Sequence, residues 1–198
     1  MNTLEAIRTR KSVRKFLTTA VPAEIIENIL LAGMEAPSTK NSQPWKYYVI
    51  QGNAKEKLVE LMNAGLNSFG DSQTLRRLPF YASVTGSIRV MQSAPVVVLV
   101  FNTGIHTMNS DGSLEARFMD CGAMQTMGAA IQNMLLAATE QGLSSLWMCD
   151  VYFAYEQICS WLREQSQLTA AVALGYEDGA ATKPTRHNLN DHVKYMEE

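Results

Sequence analysis

The segment Glu115–Gln141 reads EARFMDCGAMQTMGAAIQNMLLAATEQ and is the most regular stretch of the chain. Its apolar side chains recur at the spacing of one helical face. They are Met119, Met127, Ile131, Met134, Leu135 and Ala138. Small residues at 122, 123 and 128–130 would let a second helix approach closely. At 1.5 Å per residue the helix would be about 40 Å long, so we predict a central helix, of a length that suits sharing across a dimer, closed by Gly142.

Shorter helices and strands are predicted to alternate on either side of this helix. The predicted helices are one capped by Thr3 that carries Leu4 and Ile7, one that begins at Pro22 and ends before Pro37, one that carries Leu58, Leu61 and Met62 and ends at Gly65, and Ala154–Gln165. The predicted strands are Lys46–Gln51, Ala94–Phe101, Leu143–Cys149 and Leu168–Leu174. This interleaving indicates a mixed layered fold of helices and strands in one domain over residues 1–198.

Two stretches do not fit this pattern. Residues 67–92 lack a clean period and mix glycine and proline with aromatic residues. An excursion of this length inside a compact domain is usually functional or mobile. Asn102–Ser113 reads as a polar loop that contains glycine.

Composition and charge exclude several classes of function. The formal net charge is −2, which gives no general basic field for nucleic acid or an acidic membrane surface. The longest apolar run, at 94–101, is far too short to cross a bilayer, and the N-terminal residues lack the apolar core of a signal peptide. We therefore expect a cytoplasmic protein.

The cysteines and histidines predict neither a disulfide framework nor a metal site. The three cysteines include no CxxC pair, and we expect Cys121 and Cys159 to be small core residues. The three histidines have no metal-ligand spacing and are expected at the surface. GxGxxG, Walker, GxSxG and HExxH motifs are all absent from the sequence, which disfavours the enzymes that depend on them.

Three polar segments could carry chemistry. Arg10–Arg14 concentrates charged and hydroxyl donors of the kind that a phosphate or a polyol binds, unless it is only a solvated basic turn. Ala36–Trp45 could bind a ligand with many polar groups, or it could be a rigid connecting loop. Lys183 and Arg186 place two cations close together in the tail, where charged residues are usually solvated.

Taken in order, these segments resemble the nitroreductase family over nearly the whole chain. The first is similar to the family's RRSxRxF opening, and Ala36–Trp45 keeps every residue of its APSxxNxQPW loop. The stretch 129–138, followed by Gly142-Leu143 and Trp147, is similar to the family's central helix and next strand. Lys183–Arg186, with Leu189 three residues later, resembles its closing basic motif.

The resemblance implies an α+β fold in which a central antiparallel or mixed sheet is flanked by helices. It also implies an intertwined homodimer with two FMN sites between its subunits. The FMN-binding residues that it implies are Arg10, Lys11, Ser12, Arg14, Pro37, Ser38, Thr39, Asn41, Trp147, Met148, Cys149, Lys183 and Arg186. The first three would hold the phosphate and ribityl chain, and Arg186 the phosphate. Arg14 would approach the pyrimidine end of the flavin ring, and the loop 37–41 would reach in from the partner subunit. Trp147, Met148 and Cys149 would pass by the flavin, with a backbone N–H there meeting N5.

The same resemblance implies a reaction. Hydride would pass from NADH or NADPH to flavin N5 and then to an acceptor such as a quinone or a nitroaromatic compound, in ping-pong order. No catalytic side chain or metal is required, and the charge of Arg14 would stabilise the reduced flavin and so change its midpoint potential. Residues 67–92 are expected to cover the substrate side, although Asn67, Arg76 and Arg77 match no flavin-contacting position. The alternatives are another FMN-dependent chemistry (dehalogenation, ring oxidation or flavin cleavage), a flavin-binding protein without turnover, and a plain α/β domain.

Overall fold

The computed structural model describes residues 1–104 and 112–197. The helices in these ranges are α1 (Thr3–Thr9), α2 (Ala23–Met34), α3 (Asn53–Asn67), α4 (Ser72–Arg76), α5 (Tyr81–Ser93), α6 (Leu114–Glu140) and α7 (Tyr155–Leu162). The strands are β1 (Trp45–Ile50), β2 (Val96–Asn102), β3 (Ser144–Met148) and β4 (Gln167–Gly175). Three-residue to five-residue 3-10 turns lie at Thr39–Asn41, Asp150–Ala154 and Leu189–Asp191. No helix in the described ranges is long and apolar enough to span a membrane.

The described strands form one antiparallel sheet in the order β1-β2-β4-β3. Every residue of the two central strands is buried. Alternate residues of β2 point to opposite faces of the sheet: Val97 and Leu99 join one apolar core, and Val96 and Val98 join the other. This confirms the predicted α+β fold with helices on both sides of the sheet.

The long helix α6 has two unlike halves. From Thr126 onward it packs into the core that lies between the sheet and α2. Residues 114–125 include no buried side chain, and Leu114 and Phe118 are 82% and 59% exposed. The helix is where the sequence predicts it, but the expected apolar stripe is buried only from Met127, and Met119 lies outside the core.

Three predictions of local detail are wrong. Asn2, rather than Thr3, caps α1, because its side chain accepts a hydrogen bond from the Glu5 N–H. Gly65 does not end α3: it lies inside the helix, where a Cβ atom would come within 2.1 Å of the Phe153 carbonyl oxygen. Its role is therefore close packing. Cys121 is exposed on α6, whereas Cys159 is buried as expected.

Residues 67–92 contain helix α4 and most of helix α5. Helix α5 buries Val84, Ile88 and Met91, which follow one another at helical spacing. The interspersed Ser83, Gly86 and Ser87, together with Thr85, dilute this period in the sequence. The rings of Phe69, Phe80 and Phe153 pack together and fix the segment on the 150–154 turn. His187 and His192 are exposed as predicted, whereas His106 and most of the loop predicted at 102–113 lie outside the described residues.

Candidate active site

The first basic segment is fixed against the outer edge of the sheet. Ser12 forms a parallel bridge with Ser145 of β3, and the Val13 N–H donates to the Ser145 carbonyl oxygen at 3.0 Å. The Val13 side chain is 1% exposed and anchors the segment in the core. Because of this pairing, Arg14 lies beside the end of β3.

A cleft of about 490 Å³ opens at this edge. It is lined by residues from three separate regions of the sequence: Arg14, helix α5 and the end of β3. The β3 contribution includes Trp147, Met148 and Cys149, and α5 contributes Ser83, Gly86, Ser87 and Arg89, while Asp150 follows directly after them. The structure thus brings Arg14 together with the predicted residues 147–149 and adds α5 as a wall.

Arg89 and Asp150 are the cleft residues that sequence reasoning missed. Arg14 and Arg89 line the cleft, and neither takes part in the ion pairs found in residues 1–104 and 112–197. Reading Val84, Ile88 and Met91 as the buried stripe of a helix would have placed Ser83 and Arg89 on its outward faces. The described structure puts none of Asn67, Arg76 and Arg77 in the lining of this cleft.

A second group of cations lies where α1 ends and the C-terminal tail returns. Lys183 Nζ donates to the carbonyl oxygens of Ile7 and Arg8 at 3.1 and 2.5 Å. Desolvation lowers the pKa of Lys183, and the charges of Arg10 and Arg186 lower it further. The charges of Arg10 and Arg186 therefore both act on Lys183, and we call these three side chains the cation cluster. None of them joins an ion pair within the described part of the chain.

Lys11 behaves differently from the cation cluster. Its ammonium lies 2.7 Å from a carboxylate oxygen of Glu177 and donates to the Ala181 carbonyl oxygen at 3.1 Å. The hydrogen bond from Lys11 holds the pKa of Glu177 below its ordinary value. Lys11 thus ties the first segment to the turn after β4, and its charge is already compensated within the chain. Ser12 lines a neighbouring cleft of about 420 Å³ with residues 177–182.

The loop Ala36–Trp45 has a fixed conformation at the opposite edge of the sheet. The Thr39 N–H donates to Thr126 Oγ1 of α6 at 3.2 Å, and Ser38 Oγ accepts from the Gln43 N–H at 3.0 Å. Lys40 and Asn41 have φ angles of 55° and 52°, in the left-handed region that residues other than glycine rarely adopt. The loop leads into β1, which is separated from β3 by two strands. At about 4.8 Å per strand the two edges are roughly 14 Å apart, so the residues Pro37, Ser38, Thr39 and Asn41 do not line the cleft of their own chain.

The donor set fits a flavin mononucleotide. A terminal phosphate requires several uncompensated cations, and the cation cluster supplies them. A flavin ring requires an open cleft with a cation near its electron-rich end, and the cleft with Arg14 and Arg89 supplies both. Lys183 also caps the last carbonyl groups of α1, which holds its ammonium group where the charges of Arg10 and Arg186 act on it.

The chain is similar to known proteins over most of its length. A model of the nitroreductase family matches residues 7–176. A protein of Methanothermobacter thermautotrophicus, provisionally named NADH dehydrogenase/NAD(P)H nitroreductase, is 32% identical over 148 residues, which make up 74% of this chain but only 60% of that relative. A BluB-like flavoprotein from Clostridium difficile superposes over the full length of both chains with a TM-score of 0.84 and 26% identity. A nitroreductase with bound FMN from Bacteroides fragilis does so with a TM-score of 0.74 and 25% identity.

Proposed function

The chain is a member of the nitroreductase family, and from that premise we propose that it is an FMN-dependent oxidoreductase that uses NADH or NADPH. Its acceptor would be a small organic molecule such as a nitroaromatic compound or a quinone. The observation that carries this proposal is the cleft that Arg14 lines together with residues 147–149, and the cation cluster, which has no ion-pair partner in the described residues, supports it. The FMN-loaded relative and the NAD(P)H-using relative support the choice of cofactor and reductant.

Each part of the site has a task of its own. Arg10, Lys183 and Arg186 would bind the terminal phosphate, while Arg14 and Arg89 would place positive charge beside the ring. When bound, the flavin supplies the two-electron chemistry that passes hydride from the nicotinamide to the acceptor. The side chains of Arg14 and Arg89 would stabilise the negative charge that accompanies reduction. The backbone N–H of Cys149, at the end of β3, would orient the ring edge. Ser12, which lines the neighbouring cleft, would bind the phosphate or the ribityl chain, whereas Lys11 ties the segment to Glu177.

We further propose that the complete site is formed by two copies of the chain. The loop 37–41 leads into β1 and does not line the cleft beside β3 of its own chain, so the same loop of a partner subunit is the better candidate to complete the site. Residues 114–125 of α6 also present Leu114, Phe118 and Met124 to solvent. A partner subunit that covers this surface would account for apolar side chains that the single chain leaves exposed. Sedimentation of the FMN-loaded protein should give a dimer, and a stable loaded monomer at micromolar concentration would contradict this assembly.

The cleft also suggests the order of turnover. One open cleft of about 490 Å³ lies beside residues 147–149. If both substrates use it in turn, the oxidised nicotinamide must leave before the acceptor binds, and the kinetics must be ping-pong. Double-reciprocal plots at several fixed acceptor concentrations should then be parallel, whereas intersecting lines would indicate a ternary complex and a second site.

The most informative test of function is the visible absorption spectrum of the purified protein. We expect flavin bands that bleach when NADH or NADPH is added without oxygen and return when a nitroaromatic compound or a quinone is added. Bound flavin that neither nicotinamide bleaches would instead indicate a flavin-binding protein without this activity. Bleaching that no quinone or nitroaromatic reverses would indicate another FMN-dependent chemistry.

A further inference from the structure

The cleft contains a carboxylate that the proposed electron transfer does not use. Asp150 follows β3 and begins the 150–154 turn, and its side chain is half-buried. Ser83 Oγ of α5 donates to Asp150 at 3.2 Å from Oδ1 and 3.0 Å from Oδ2. Ser87, one helical turn further along α5, donates to Oδ2. All three residues line the cleft.

Asp150 is oriented but not neutralised. None of the ion pairs in residues 1–104 and 112–197 includes it, although Arg14 and Arg89 line the same cleft. Each serine hydroxyl carries one proton, whereas a carboxylate has about four acceptor positions. About two of these positions are therefore left for a ligand.

The charge of Asp150 acts on the cleft itself. Burial raises the pKa of the neighbouring Cys149 thiol, and the negative charge of Asp150 raises it further. The thiol lines the same cleft as the carboxylate. A ligand group beside Asp150 would thus meet a fixed hydrogen-bond acceptor that carries a negative charge.

We propose that Asp150, oriented by Ser83 and Ser87, is a specificity subsite that binds an N–H or O–H group of the substrate and disfavours an anionic group at the same position. The proposal deepens the proposed function, since it concerns the acceptor that enters this cleft. The cleft would then select ligand groups by their charge. The arginines would bind anionic groups, and Asp150 would bind a neutral or cationic hydrogen-bond donor. A purely structural role, in which the cluster only ties α5 to the 150–154 turn, is the competing explanation.

Two acceptors that differ at one substituent separate the two explanations. 4-Nitrobenzamide and 4-nitrobenzoate share the ring and the nitro group, but the first carries N–H donors where the second carries a negative charge. We expect the wild-type protein to prefer the amide in kcat/KM. In the isosteric variant D150N the amide side chain can donate as well as accept, and the preference should shrink about tenfold, which corresponds to about 1.4 kcal/mol. The change should lie mainly in KM, because the substituent is remote from the nitro group.

Binding without turnover provides an independent measurement. Benzamide and benzoate carry the same two groups and have no nitro group to reduce, so their dissociation constants can be measured by calorimetry. The ratio of these constants should change by the same factor in D150N. S83A keeps the charge but loosens its orientation, and we expect a shift of about two- to threefold in the same direction. Glu27→Gln, an exposed carboxyl-to-amide change on α2, serves as the matched control and should leave the ratio unchanged.

Each outcome decides the proposal. If D150N lowers the melting temperature but leaves both amide-to-carboxylate ratios unchanged, the cluster is a structural tie and the subsite is refuted. If D150N does not fold, the ratio in S83A decides, because Ser83 is exposed. If the protein takes up no FMN, the proposed function fails, while calorimetry with benzamide and benzoate on the apoprotein still tests the subsite.

Discussion

Two charged clusters, one beside β1 and one at the end of α1, differ in how completely their charges are compensated within the chain. At the β1 edge, Glu164 accepts from Lys46 and Tyr48 at 2.6 Å each. Its other oxygen accepts from the N–H groups of Gln165 and Ser166 at 2.9 Å. At the end of α1, Lys183 lies within the electrostatic influence of Arg10 and Arg186, and none of the three is paired with a carboxylate in the described residues.

The difference separates structural charge from ligand-binding charge. The side chain of Glu164 is only 7% exposed, and each of its two oxygens accepts from two donors, so the carboxylate has no acceptor position left for a ligand. The cation cluster is incomplete, since three like charges held together repel unless an anion joins them. Lys11 shows that proximity to the basic motif is not sufficient: it belongs to the same five-residue segment but is compensated by Glu177. A cation without an internal partner is the better indicator of a ligand site.

The largest effect is expected at the cation cluster. Arg186→Ala should weaken FMN binding by roughly 1.5–3 kcal/mol, because it removes a hydrogen bond between charged groups. Isothermal titration calorimetry on the apoprotein measures the change in affinity. An unaltered FMN affinity would show that Arg186 does not bind the phosphate.

The cluster around Glu164 should affect the stability of the fold rather than FMN binding. Glu164→Gln removes a charge from four donors and should lower the free energy of unfolding by about 1–3 kcal/mol, with FMN affinity per folded protomer unchanged. Chemical denaturation measures the first quantity and titration the second. A variant as stable as the wild type would mean that the network contributes no net stability.

The same carboxylate predicts a dependence on pH. Burial alone would raise the pKa of Glu164, but the hydrogen bonds from Lys46, Tyr48 and the Ser166 N–H outweigh burial and hold that pKa well below its ordinary value. A lowered folded-state pKa stabilises the protein above the unfolded value, about 4.3 for glutamate, and this contribution is lost as the pH falls toward the folded value. The stability difference between wild type and Glu164→Gln should therefore be full at pH 7 and shrink below about pH 4. A difference that stays constant down to pH 3 would contradict the assignment.

Arg14 should alter the flavin's potential more than its retention. Loss of one cation beside the ring should cost the reduced form on the order of 1–3 kcal/mol. For a two-electron couple this lowers the midpoint potential by roughly 20–65 mV. Spectroelectrochemistry of Arg14→Ala measures the shift. FMN that dissociates with no change in potential would identify Arg14 as an anchor.

The smallest effect is expected at Lys11. Because Glu177 already compensates its charge, Lys11→Met should change FMN affinity much less than Arg186→Ala does, by no more than about threefold. A loss as large as that of Arg186→Ala would show that Lys11 contacts the phosphate and that the ion pair opens on binding.

The sequence alone was sufficient to predict those elements whose structure depends on a local pattern of residues. The central helix and the four strands follow from periodicity. The resemblance to the family implied that Arg14 and residues 147–149 belong to one site, and all of them line the same cleft. Helix α5 was missed because four small or hydroxyl residues interrupt its apolar period. Asp150 and Arg89 could not be assigned because their significance depends on which elements meet at the β3 edge. Lys11 differs from Arg10 and Arg14 because its charge is compensated by Glu177, which is 166 positions away in the chain.

The central claim is that the cation cluster binds the phosphate of FMN, and a comparison of FMN with riboflavin tests it most directly. The two flavins share the ring and the ribityl chain and differ only in the phosphate. We predict that calorimetry on the apoprotein will give a dissociation constant for FMN at least about 100-fold below that for riboflavin, equivalent to about 2.7 kcal/mol, and that this ratio will narrow in Arg186→Ala. Equal affinity for the two flavins, or no binding of either, would contradict the account.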